Sequence, residues 1–142
     1  MKKMMWCFTI LMALGTAQVQ AKASFTGQDF SGVYDCTGDD AHEGKYTGTV
    51  TMALNREQRT GRYGAYSFKL EVPGFGVYLG EAAAHGNHVA MHFALDQPNS
   101  QDHGMGIAAI KKNKEGKLTF RKFYYEPEYQ GGNYGTEDCV RR

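Results

Sequence analysis

The chain has 142 residues, of which 16 are basic, 15 are acidic and 18 are glycine. A net charge of +1 gives no electrostatic case for binding nucleic acid or an anionic membrane. A glycine share near twice the usual ~7% argues against a mainly helical fold, because glycine destabilises helix interiors. This length suits one domain.

The start of the chain is typical of a secretory signal peptide. Two lysines precede the apolar run Met4–Gly15, and Val19-Gln20-Ala21 has the small residues of a cleavage site. Because this run is too short to span a bilayer, we expect no membrane span. Residues 1–21 are therefore the predicted signal peptide, and residues 22–142 are a single domain of 121 residues. We expect that domain, after cleavage near Ala21, in the periplasm or outside the cell.

Two cysteines remain after cleavage, Cys36 and Cys139. An exported protein meets an oxidising compartment, and these cysteines have neither a CxxC nor a Cys-His metal spacing. We therefore predict a structural disulfide. It closes a loop of 103 residues, and its geometry requires the first and last structured segments to be neighbours.

Apolar and polar residues alternate with a period of two along the rest of the chain, and turn residues interrupt the alternation about every ten positions. The predicted strands are 29–37, 44–55, 62–72, 75–85, 88–95, 105–112, 117–125 and 134–141. Short connections favour antiparallel neighbours, and a disulfide between the first and last strands closes the sheet. The predicted fold is all-β, a closed antiparallel up-and-down barrel of about eight strands.

The segment Gly32-Val33-Tyr34, with Arg141 or Arg142 at the end of the last strand, resembles the calycin arrangement of lipocalins and avidins. In that group a G-x-W motif begins the barrel, and in lipocalins a late Arg packs against the Trp. Here Tyr34 stands at the Trp position. More weakly, Tyr34-Asp35-Cys36 and Cys139 are similar to the periplasmic inhibitors of C-type lysozyme, which are exported eight-stranded barrels. The resemblances imply architecture and compartment, and no functional residue is carried over from either family.

The exported part has no evident catalytic motif. No serine lies in a G-x-S-x-G elbow, and no phosphate-binding glycine loop precedes a helix, so we expect neither an enzyme nor a cofactor. Four histidines lie close together in the sequence. We interpret them as separate surface or lumen residues, and the alternative is a mononuclear metal site. They are His85, His88, His92 and His103. The acidic stretch 35–43 lacks calcium-loop spacing and is interpreted as a solvated hairpin turn.

The segment 124–135 combines tyrosine with glycine, asparagine and glutamine. This composition is typical of a recognition loop, because tyrosine contributes a large amphipathic area while glycine and asparagine adapt. The alternative is an ordinary loop at the rim of the barrel. The predicted partner-binding residues are Tyr124, Tyr125, Tyr129, Asn133 and Tyr134.

The sequence favours an exported, monomeric, non-enzymatic protein that binds or inhibits a protein partner through rim loops, like an inhibitor or immunity protein. The alternative is a lipocalin-like carrier of a small apolar ligand. A packed interior would leave no cavity for such a ligand, whereas inward alanines would open one. The residues that would fill the interior are Val50, Met52, Leu70, Met91, Phe93 and Phe120, and the alanines are Ala82, Ala84, Ala90 and Ala94.

Overall fold

The computed structural model describes residues 21–142, and the predicted signal peptide lies outside them except for Ala21. All regular structure in this part is β-strand. The strands are β1 (Gly32–Asp40), β2 (Gly44–Leu54), β3 (Tyr63–Val72), β4 (Gly76–His85), β5 (His88–Leu95), β6 (His103–Lys112), β7 (Leu118–Glu126) and β8 (Asn133–Arg141). These residues contain no helix with the length and apolar character needed to cross a membrane.

The eight strands form a closed antiparallel barrel. Each strand pairs with the next along the chain, and β8 pairs with β1. Cys36 and Cys139 are register partners on these two strands, and a disulfide joins them. The predicted all-β barrel and its disulfide are therefore confirmed, and the architecture is consistent with a calycin-like fold.

Side-chain hydrogen bonds explain why both ends of the first strand differ from the prediction. The first strand begins three residues later than predicted, because Asp29 Oδ1 accepts a bond of 2.8 Å from the Ser31 amide and bends the chain there. It also runs to Asp40, whose Oδ1 accepts from the amides of His42 and Glu43 at 2.9 Å each. This side chain stabilises the turn into β2, so the turn starts later than the sequence suggested.

The N-terminal segment closes one end of the barrel. Phe30 is 1% exposed, its amide donates to the Tyr66 hydroxyl at 3.2 Å, and its carbonyl accepts from the Tyr34 hydroxyl at 2.8 Å. Arg141 is the register partner of Tyr34 and lies beside Gly32. The opposite end, called here the open end, carries the β1–β2, β3–β4, β5–β6 and β7–β8 connections.

The interior between these ends is packed. The apolar set proposed from the sequence is buried, and it belongs to one continuous core with Tyr34, Phe68 and Ile110. Of the four alanines that would have opened a cavity, Ala82 and Ala84 point inward, while Ala90 is exposed and Ala94 partly exposed. Space inside the barrel therefore remains mainly at the open end.

Candidate functional site

A pocket of about 60 Å³ lies at the open end. Ligand pockets usually measure about 300–1,000 Å³, so this one admits only a small group. Six aromatic rings line it together with six polar side chains. The rings are those of Tyr46, Phe75, Tyr78, Phe93, Tyr124 and Tyr129, and the polar residues are Asp40, Glu43, Asp102, Lys122, Glu126 and Asn133.

Asp40 is the centre of a buried hydrogen-bond network in this pocket. Its Oδ2 accepts from the Tyr124 hydroxyl at 2.6 Å and from Asn133 Nδ2 at 2.8 Å. Burial alone would raise the pKa of Asp40, but these bonds and those from the His42 and Glu43 amides hold it below its usual value. Asp40 is 8% exposed. The interpretation of the whole acidic stretch as a solvated turn was therefore wrong for this residue.

Two glycines make room for the tyrosines of this network. A Cβ atom on Gly38 would overlap the ring of Tyr46, and one on Gly135 would overlap the ring of Tyr124. Burial raises the pKa of both tyrosine hydroxyls far above the usual value, and nearby carboxylates add to the effect. Both hydroxyls therefore stay protonated and act as donors to carboxylates.

Glu126 lies at the end of β7 and accepts a bond of 2.8 Å from Asn133 Nδ2. Burial, with a smaller effect of the nearby carboxylates of Asp102 and Asp40, raises the pKa of Glu126 to about 7, against the lowering effects of Asn133 and Lys122. Tyr78 and Tyr124 also lie close enough to interact with its charge. Glu126 therefore changes its charge near neutral pH.

The pKa of Glu126 leads to a prediction for stability. A carboxyl group with a raised pKa binds its proton more tightly in the folded state, so its contribution to stability falls as pH rises from about 4.5 to about 7. We expect Glu126→Gln to match the wild type at pH 5 and to be more stable at pH 8. The expected difference is about 2 kcal/mol, less than the full shift, because solvent at the open end screens the charge. Urea unfolding at the two pH values measures it.

The matched control for this prediction is Glu128→Gln, an exposed glutamate in the β7–β8 loop. That variant is expected to keep the pH dependence of the wild type. A Glu126→Gln variant whose stability followed the wild type at both pH values would contradict the raised pKa.

An ion pair lies deeper in the barrel, between Lys122 of β7 and Glu137 of β8. Lys122 Nζ and Glu137 Oε2 are 2.7 Å apart, although their direction is poor for a hydrogen bond, and both side chains are 0% exposed. The ammonium also lies 4.9 Å from the ring centroid of Phe93 and 5.3 Å from that of Tyr124. Tyr46 donates to Glu137 Oε1 at 3.0 Å. Ring faces and a carboxylate together stabilise this cation in a place that water does not reach.

The four histidines lie on the outer wall. His85 and His88 are register partners, and the rings of His92 and His103 are 6.4 Å apart. Among the described residues, no three histidines bring donor atoms within 4.8 Å of one another. The group of three potential ligands that does converge contains Glu137 and the two disulfide cysteines, so its sulfur atoms are not free thiolates.

The five predicted partner-binding residues are divided between three places. Tyr124 and Asn133 point into the barrel and are buried. Tyr129 lies at the rim, where its hydroxyl donates to Glu43 at 2.7 Å. Tyr125 and Tyr134 point outward as register partners, 41% and 59% exposed. Alternation along each strand causes this separation, because neighbouring residues face opposite sides of the sheet.

The two outward tyrosines belong to a larger apolar surface on β6, β7 and β8. It is called here the outer patch and consists of Met105, Ile107, Phe123, Tyr125 and Tyr134. Met105 pairs with Tyr125, which pairs with Tyr134, and Ile107 pairs with Phe123 in the adjacent row. All five side chains are between 41% and 64% exposed. The sequence signal for this patch is the presence of apolar residues on both faces of β6 and β7.

No protein-family model matches the chain, and no curated protein or solved structure matches it either. Two features of the described residues bear on function. They are the pocket at the open end and the outer patch.

Proposed function

We propose that this is an exported, non-enzymatic protein that binds a protein partner through the outer patch, in the manner of an inhibitor or immunity protein. The observation that carries the proposal is the patch itself, five large side chains in two adjacent rows with no charge between them. Soluble proteins rarely expose contiguous apolar surface without a binding role. The expected signal peptide and the disulfide support an oxidising compartment outside the cytoplasm.

The outer patch has the anatomy of a protein interface. Ile107 and Phe123 form one of its two rows and are 64% and 50% exposed. Tyr134 supplies an amphipathic ring at one side, and the salt bridge between Arg121 and Asp138 lies in the next row of the sheet. An apolar surface with tyrosine and methionine, bordered by polar groups, is the usual composition of such interfaces.

The alternative, a carrier of a small apolar ligand, finds little support in the pocket. The interior is filled by the core, and the remaining space of about 60 Å³ is lined by several carboxylates. An apolar ligand gains nothing from contact with ionised groups, which would lose their hydration when it entered. The outer patch therefore carries the proposed function.

Crosslinking and substitution within the outer patch test the proposal. A photoreactive amino acid at Tyr134, in cells that export the protein, is expected to crosslink one partner, and the same label at Thr47 on β2 is not. Ile107→Lys and Phe123→Lys are each expected to weaken binding of that purified partner by about 30-fold or more, because each replaces a large apolar contact with a charge. Both variants should unfold within about 0.5 kcal/mol of the wild type, because the side chains are exposed.

Three results would count against this function. A crosslink only to a second copy of the chain, seen as a dimer in sedimentation, would replace the proposed partner with self-association. Equal crosslinking from Thr47 would show that contact is not specific to the outer patch. Undiminished binding by both lysine variants would exclude the outer patch as the binding surface.

A further inference from the structure

The pocket at the open end has more negative charge than its own residues neutralise. Four carboxylates line it, and none of them forms a salt bridge within residues 21–142. They belong to Asp40, Glu43, Asp102 and Glu126. Lys122 also reaches the lining, but it is paired with Glu137 deeper in the barrel. The pocket therefore attracts a cation and repels an anion.

Two buried oxygen atoms on the lining have no donor among the described residues. Asn133 is 1% exposed, and its Nδ2 donates to Asp40 and to Glu126 at 2.8 Å each. These two bonds orient the amide and leave its Oδ1 without a partner. Asp102 accepts from the Tyr78 hydroxyl at 2.9 Å through Oδ2, while its Oδ1 has no partner. Buried acceptors without donors are costly. Lys122 Nζ also has no hydrogen bond among the described residues, but it is paired with Glu137, so neither oxygen atom receives a donor from the lining.

We propose that the open end of the barrel binds a primary ammonium group. An ammonium carries three N–H donors and no acceptor, which matches the two free oxygen atoms and the surplus of carboxylates. The ring of Tyr78 lines the same pocket and attracts such a cation. The volume of about 60 Å³ holds an ammonium head and a short carbon chain. The rest of the ligand extends past Phe75 and Tyr129.

The spacing of the carboxylates favours an organic cation over a bare metal ion. A calcium ion gathers about six to eight oxygen atoms in one small shell. In residues 21–142, no three of the pocket carboxylates bring oxygen atoms within 4.8 Å of one another. An ammonium on a carbon chain needs no such shell, because it uses directional N–H bonds and ring contacts.

The test is calorimetric titration of the disulfide-bonded chain 22–142 with n-butylammonium. It is done at pH 8, above the pKa of about 7 at which Glu126 ionises. We expect saturable binding of n-butylammonium and none of n-butanol, which has a similar shape without the charge. Asp102→Asn and Glu126→Gln should each weaken binding by about tenfold or more, since each removes a charge-assisted acceptor. Asp96→Asn, on the exposed part of the β5–β6 loop, should change it by less than about twofold.

A second titration identifies the source of the ammonium group. Nα-acetyl-lysine methylamide presents the same group on a piece of protein backbone. If it binds at least as tightly as n-butylammonium, the natural ligand is a lysine side chain of another protein. If its bulk abolishes binding while n-butylammonium still binds, the natural ligand is a free small amine.

Absence of saturable binding by both amines, equal binding of n-butanol, or tighter binding of Ca²⁺ would overturn the ammonium site. Thermal unfolding of each variant shows whether it folds, and Glu126→Gln decides the question should Asp102→Asn fail to fold. Ile107→Lys, in the outer patch, should leave amine binding unchanged. The outcome is therefore independent of the proposed protein partner.

Discussion

Replacing Lys122 with methionine is expected to lower the free energy of unfolding by about 3–5 kcal/mol. The methionine fills most of the space of the lysine stem, but it leaves the carboxylate of Glu137 without the cation that lies 2.7 Å away. Glu137 is 0% exposed, so water cannot replace the lost partner. Urea unfolding at pH 7 measures the change.

A double variant separates the lost pair from lost packing. Lys122→Met with Glu137→Gln removes both charges and keeps an oxygen for the hydroxyl of Tyr46. We expect this double variant to recover most of the stability lost in the single one, because no unpaired charge remains inside the barrel. A double variant as unstable as the sum of the two single variants would show that the two charges do not interact.

The neighbouring register pair provides a matched control. Arg121 and Asp138 follow Lys122 and Glu137 in the register of β7 and β8, and their charged atoms are 2.6 Å apart. Their side chains are 70% and 52% exposed, however. Arg121→Met is expected to leave the free energy of unfolding nearly unchanged, because water solvates Asp138 once the guanidinium is gone. The comparison isolates burial, since the distance and the strands are nearly the same.

The strands could be predicted from the sequence because most of the barrel follows a strict alternation. Val50 and Met52 on β2, like Phe68 and Leu70 on β3, point inward with polar residues between them. The end of β1 could not be predicted in the same way. It is determined by the bonds that Asp40 accepts from the following turn, which depend on a side-chain conformation.

The interior of β7 shows why the candidate site was predicted only in part. Apolar or aromatic residues occur on both faces of this strand, and the inward set includes Lys122. A charge on the inward face breaks the pattern that identifies a core, and its partner, Glu137, is on another strand. Tyr124 was found by composition, but its contact with Asp40 joins residues 84 positions apart. Sequence alternation carries no information about such a pair.

Replacing both Cys36 and Cys139 with serine is expected to lower the free energy of unfolding by about 2–4 kcal/mol. The disulfide closes a loop of 103 residues. It stabilises the fold mainly by lowering the conformational entropy of the unfolded chain. The barrel should still close, because β1 and β8 also pair from Tyr34 to Asp40. Urea unfolding of the variant, and of the wild type under strong reduction, should give the same midpoint. A variant as stable as the oxidised wild type would mean that the strand pairing alone supplies the closure.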